Sequence, residues 1–250
     1  MPRAGELAWE EAGSGPAVLL LHSGITDRQM WAPQIGPLTE AHRVLWYDAR
    51  GFGESGRIAE PYRPYDDAVA VLDAAGVDRA VVVGSSMGGA TAIDMAIARA
   101  DRVAALVAIG IGPGGRTPDP GLRAGWDAVT AAYEAGDIER AIDLDTEMWI
   151  DRGPVFDQVR AWNVEIFARD EDSSHELDLD PPAVGRLDEI TCPVLAVVGD
   201  GDQPFMVEGA RVLAEGVRDG HLAVLHGVRH LPSLERPDEF NALLLDFLAG

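Results

Sequence analysis

Short apolar runs alternate along the chain with longer stretches in which apolar residues recur every three or four positions. The runs are ELAWEE (6–11), AVLLLH (17–22), RVLWYD (43–48), AVVVG (80–84), VAALVAIG (103–110), VLAVVG (194–199) and HLAVLHG (221–227). Most are continuous rather than alternating, which predicts strands covered on both faces of a parallel sheet. The first is more polar and predicts an edge strand. Helical periodicity predicts helices near 28–40, 65–75, 87–99 and 206–217. RPDEFNALLLDFLA adds a last one, opened by Pro237 and acidic residues. This rhythm predicts an α/β fold, a mostly parallel twisted sheet with helices on both faces.

One stretch breaks the rhythm. Between Gly112 and Glu189 no strong strand pattern occurs. GPGGRTPDPG opens it, and its prolines prevent an immediate helix. Helical patterns come next near 121–135, 137–150 and 154–168, then the acidic RDEDSSHELDLDPP, read as a solvated connector. Residues 113–189 are therefore expected to form a helical cap inserted into one core built from 1–112 and 190–250. Three tryptophans, Trp126, Trp149 and Trp162, fall in the cap. Packing onto the body is the plain reading for each; Trp126 and Trp149 are carried as candidates for substrate contact.

Composition narrows the function classes. The chain has 250 residues, 47% of them hydrophobic, enough for one α/β domain with a sizeable core. Its net charge of -22 argues against nucleic-acid or anionic-membrane partners. All 20 basic residues are Arg. Without Lys there is no Schiff-base chemistry and no P-loop lysine. Cys192 is the only cysteine, so no intrachain disulfide forms, and a buried small hydrophobe is its expected role. MPRAGELAWEEAGSG has no apolar leader pattern and no apolar run spans a bilayer. A cytoplasmic protein with a small-molecule substrate is the expectation. The oligomeric state is not legible.

Residues 84–88, GSSMG, fit G-x-S-x-G between a predicted strand and a predicted helix. Such a turn presents a serine at its tip in strained backbone, with small residues two before and two after relieving the crowding. That register selects Ser86 over Ser85. A nucleophilic serine needs a base, and the base an orienting acid. Asp200 and Asp202 come after VLAVVG, and His230 after HLAVLHG. The order Ser, Asp, His suits this architecture.

Together LLLHSG, WYDARGFGESG, VVGSSMGG, VVGDGD and GVRHLPSLERPDEFN resemble the α/β-hydrolase superfamily over nearly the whole chain. Within it the chain is similar to small capped esterases and lactonases, including the 3-oxoadipate enol-lactone hydrolase-like group. The resemblance implies Ser86 as nucleophile, His230 as general base then acid, and Asp202 as its orienter, ahead of Asp200. It implies an oxyanion hole from the backbone N–H of Met87 and Gly24, with Ile25 the alternative donor and a candidate substrate contact. His22 is expected to hold its loop. A small carboxylic ester or lactone is the implied substrate, cleaved without cofactor. Carbon–carbon bond hydrolysis, perhydrolysis, a lyase or cyclase reaction, and a ligand-receptor role stay open.

Other motifs fail in context. Gly51 to Gly56 fit G-x-G-x-x-G, but Pro61 and Pro64 interrupt the next residues, so a pocket-side loop is expected rather than a dinucleotide site. His226 and His230 straddle a strand end, and no metal site is expected. IDLDTE lacks the glycine of a calcium loop and reads as a solvated helix face. Arg123 or Arg152 is considered as a partner for a carboxylated substrate.

Overall fold

The computed structural model describes residues 2–171 and 173–250, without the side chain of Ser173. Asp172, in the predicted acidic connector, and Met1 lie outside the described residues. The strands are β1 (Arg3–Ala4), β2 (Leu7–Gly13), β3 (Ala17–Leu21), β4 (Arg43–Tyr47), β5 (Ala80–Ser85), β6 (Val103–Ile109), β7 (Val194–Gly199) and β8 (Gly220–Leu225). The helices are α1 (Ala32–Thr39), α2 (Pro64–Ala74), α3 (Met87–Ala98), α4 (Pro120–Glu134), α5 (Ile138–Trp149), α6 (Pro154–Arg169), α7 (Pro204–Gly216), α8 (Pro232–Glu235) and α9 (Pro237–Ala249).

The strands form one sheet in the order β1-β2-β4-β3-β5-β6-β7-β8. β1 and β4 pair antiparallel with β2; every other pairing is parallel. The polar run at 6–11 is therefore not the edge, because the two-residue β1 lies outside it. β8 is the other edge and departs from the expected burial. It pairs on one side only, and Leu222 and Val224 stay exposed.

The central strands are buried on both faces, as their continuous apolar runs require. Successive side chains point to opposite faces, so two cores form. Leu19, Leu21, Val82, Leu106 and Ala196 pack with Leu72, Ile93 and Leu213 from α2, α3 and α7. Val18, Leu20, Val83, Val107 and Val197 pack with Leu38 of α1 and Phe240 and Leu244 of α9. Leu122, Trp149, Phe156 and Val159 of the inserted helices join this second cluster.

Helices α4, α5 and α6 fall between β6 and β7 in the chain. Among the described residues no helix is long and apolar enough to cross a membrane.

Candidate active site

Ser86 is the single residue between β5 and α3. Its φ of 50° lies in the left-handed region, costly for a residue with a side chain. The surroundings fix it there. The Ser86 N–H donates to Ile109 O at 2.8 Å, and the Gly88 N–H to His22 O at 3.1 Å. A Cβ on Gly84 would lie 2.2 Å from Gly88 O, and one on Gly88 2.4 Å from Leu21 O. The two glycines therefore allow β5 to turn directly into α3 beneath the serine.

The start of α3 differs from most of its counterparts. Helices α1, α2, α4, α6, α7, α8 and α9 carry proline in their first two positions. Proline has no N–H to give. α3 begins at Met87, which keeps its amide hydrogen. Gly24 lies alongside, and a Cβ there would sit 3.5 Å from Met87 Cβ. Among the described residues neither amide has an acceptor within the protein, so both are available at the end of the helix dipole.

His230 and Asp202 arrive from the loops after β8 and β7. Ser86 Oγ is 2.8 Å from His230 Nε2, and His230 Nδ1 is 2.8 Å from Asp202 Oδ2. The acid and the imidazole are both about 1% exposed. Asp202 Oδ1 accepts the Gln203 amide at 2.7 Å. The Trp149 ring covers the imidazole with centroids 4.2 Å apart. The Glu235 carboxylate accepts the Arg229 amide at 3.0 Å and the Leu231 amide at 2.9 Å, clamping the backbone on both sides of the histidine. Burial raises the Glu235 carboxyl, partly offset by those two amides. Gly110 clears space behind: at φ 62°, a Cβ there would come within 2.9 Å of His230 O.

His22 holds the loop opposite. Its Nδ1 lies 2.8 Å from Ser23 O, and its Nε2 accepts the Ala49 amide at 2.9 Å. This pattern requires the hydrogen on Nδ1 and a neutral ring. Burial lowers the His22 pKa in the same sense, with Asp48 acting against it. Asp48 anchors the next turn, accepting the Arg28 amide at 2.9 Å and pairing with the Arg28 guanidinium.

Ser23, Gly24, Ile25, Ser86, Asp145, Trp149 and His230 line one cavity of about 230 Å³. A hydroxyl hydrogen-bonded to a buried imidazole, itself bonded to a buried carboxylate, is an arrangement able to activate oxygen as a nucleophile.

Residues 18–243 match the family described as "Alpha/beta hydrolase family". The chain belongs to that alpha/beta hydrolase family. The enol-lactonase from Burkholderia xenovorans LB400 superposes on this hydrolase with a TM-score of 0.84, 26% identity and coverage of 98% and 96% of the two chains. Est816, described as an N-acyl homoserine lactone degrading enzyme, superposes at TM-score 0.78 with 28% identity over 96% of each chain. The 2-hydroxy-6-oxo-6-phenylhexa-2,4-dienoate hydrolase of Comamonas testosteroni is 30% identical over 96% of this chain and 90% of its own length.

The alpha/beta hydrolase fold separates residues that the sequence left together. Asp200 does not reach His230; it pairs with the exposed His226 at 2.9 Å. Trp126 is exposed and lines none of this cavity. The inward stripe of α4 runs through Leu122 and Gly125, and Gly125 packs on Met148, which leaves Trp126 to one side. Arg123 and Arg152 are also absent from the lining; Arg152 pairs with Glu147. Gly51 and Phe52 border a neighbouring cavity, and no helix starts before Pro64. Beside this loop, Asp48 pairs with Arg28 and Arg50 with Asp67. Among the described residues no cluster of three metal-ligating side chains occurs.

IDLDTE needs correction. Asp143 is on the solvated side and pairs with Arg160, but Asp145 opens onto the cavity of Ser86. A four-residue offset to Trp149 puts both on one helix face, and that was the available signal. Glu235 was missed as well, since no pattern predicts a carboxylate turning back onto two amides.

Proposed function

We propose that this alpha/beta hydrolase cleaves a small carboxylic ester or lactone through an acyl-enzyme. The observation that carries the reading is the unbroken Ser86–His230–Asp202 chain opening onto a cavity beside two unengaged amides. Ser86 Oγ attacks the carbonyl carbon while His230 Nε2 takes its proton. Asp202 holds the Nδ1 hydrogen and stabilises the imidazolium. The Met87 and Gly24 amides donate to the oxyanion; one such donor is worth about 3–4 kcal/mol of barrier. His230 then gives its proton to the leaving oxygen. In a lactone that oxygen stays tethered to the acyl group. Water attacks the acyl-enzyme with His230 as base, and the acid leaves as Ser86 regains its proton.

Residues 113–189 act in this reading as the cap over the site, with Trp149 and Ile25 on its wall and no cofactor. The Comamonas relative points to carbon–carbon bond hydrolysis as a second reading. Its named substrate carries a carboxylate. The cavity here offers Asp145 and no arginine among its lining residues, which favours the ester or lactone.

The test is a burst-phase assay with p-nitrophenyl acetate and butyrate. The expected result is a burst and then steady turnover in the wild type, and neither in Ser86→Ala with its fold intact. Equal turnover in the mutant would sink the mechanism.

A further inference from the structure

Asp145 projects from α5 into the cavity that holds Ser86 and His230. Its position is built rather than incidental. Asn163 of α6, 1% exposed, donates its Nδ2 to Asp145 Oδ2 at 2.8 Å and to Thr146 Oγ1 at 3.2 Å. Thr146, fully buried, passes its own hydrogen to Ile142 O at 2.8 Å. A neutral donor aims the group, and among the described residues no arginine forms an ion pair with it.

This is unusual company for a carboxylate in a chain with 20 arginines. Removing a carboxylate from water without a counter-charge is costly. Burial accordingly raises the Asp145 carboxyl, with Asn163, Trp149 and the charge of His230 opposing the rise. The nearby arginines are engaged elsewhere. Arg229 is held by Glu147 O, Met148 O and Asp151, and Arg160 by Glu139 and Asp143. The cavity wall therefore holds one acidic group and no arginine.

We infer that Asp145 is a specificity-determining residue, selecting an ester or lactone whose non-reacting part carries a cationic nitrogen. This rests on the acyl-enzyme reading above. The carboxylate attracts a positive group beside the reacting carbonyl, and a carboxylated substrate is repelled. Asp145 takes no proton from Ser86 and makes no bond to the acyl carbon.

Two isosteric pairs of substrates test it. In the acyl pair, p-nitrophenyl 4-(trimethylammonio)butanoate is compared with p-nitrophenyl 5,5-dimethylhexanoate, where carbon replaces the charged nitrogen. In the leaving-group pair, butyrylthiocholine is compared with its 3,3-dimethylbutyl thioester analogue. The wild type is expected to favour the cation in at least one pair by about tenfold or more in kcat/KM. In Asp145→Asn that ratio is expected to fall about tenfold or more. A change common to charged and neutral substrates divides out of the ratio, so a merely structural role for Asp145 does not move it. The inference is overturned if both wild-type ratios fall below tenfold, or if the preference survives in Asp145→Asn, which would assign it to another part of the cavity. Should Asp145→Asn fail to fold, Asp145→Ser takes its place in the same comparison, and wild-type ratios below tenfold in both pairs still overturn the inference. Ser86→Ala separates the two levels: turnover in that variant overturns the acyl-enzyme reading whatever the charge preference. A wild type inert on all four substrates overturns the inference alone if it still turns over p-nitrophenyl acetate or butyrate, and removes both readings if it does not.

Discussion

Replacing Asp202 with Asn changes one heavy atom at the place where the imidazole tautomer is set. Asp202 Oδ2 takes the hydrogen of His230 Nδ1 across 2.8 Å, leaving Nε2 to accept from Ser86 Oγ across 2.8 Å. The second oxygen, Oδ1, is committed to the Gln203 amide at 2.7 Å. An asparagine must keep its oxygen on that amide and so turns its NH2 toward Nδ1. The ring then carries its hydrogen on Nε2 and donates to Ser86 Oγ instead of accepting. The serine loses its base without any displacement of the backbone. A loss of about 10⁴ in kcat is expected from such an inverted tautomer, or about 5.4 kcal/mol at 1.36 kcal/mol per decade. Asp200→Asn is the matched control, since its carboxylate serves the exposed His226 and the Gly227 amide; turnover within about twofold of wild type is expected. The assay is kcat and kcat/KM on p-nitrophenyl butyrate for the three proteins, with circular dichroism to check folding. A loss below about tenfold in Asp202→Asn, or an equal loss in Asp200→Asn, refutes the assignment of the orienting acid.

Two further substitutions probe neighbours of the site. Ser85 Oγ is fully buried and has no partner among the described residues, so Ser85→Ala is expected to leave turnover intact. Its stability, read by thermal melting, should be unchanged or raised by about 1 kcal/mol, since a buried hydroxyl without a partner is removed; loss of turnover would shift the nucleophile assignment. Asp94 is raised to about 6 by burial, with Asp178 and Glu176 adding to it. Between about pH 4 and 6 its folded form holds a proton that the unfolded chain has released, so acid favours folding there and ionisation above that window opposes it. Asp94→Asn is expected to raise stability at pH 7.5 by about 1–2 kcal/mol, discounted for partial exposure. That is a few degrees in Tm for a chain this long, with no gain near pH 4. An equal gain at both pH values would show that ionisation is not the cause.

The central sheet was legible because Val18 to Leu21, Val81 to Val83 and Val194 to Val198 form runs that only a doubly covered strand accommodates. The grouping of Ser86, Asp202 and His230 was legible because each comes after a strand that ends on the same edge of a parallel sheet. The edges were not. Arg3–Ala4 is too short to show any periodicity, and the exposure of Leu222 and Val224 depends on what fails to cover β8 rather than on β8 itself. The inserted helices were the least readable. A period of 3.6 gives a face but not its neighbour, so Trp126 and Asp145 exchanged the environments expected of them. An aromatic went to solvent and an acid went to the cavity, because α4 meets α5 through Gly125 and Met148.

The C-terminal end of α5 is tied by its own backbone to the loops that carry Asp202 and His230. Met148 O accepts Gln203 Nε2 and Arg229 Nη2, both at 2.8 Å, and Trp149 O accepts the His230 amide at 3.3 Å. These residues flank the proposed acid and base directly. The insertion is therefore not an interchangeable module on a fixed engine. A relative's helix grafted at α5 would bring its own pocket wall and at the same time re-set the loops that carry Asp202 and His230. Substrate range and chemical competence must drift together at this point in the chain.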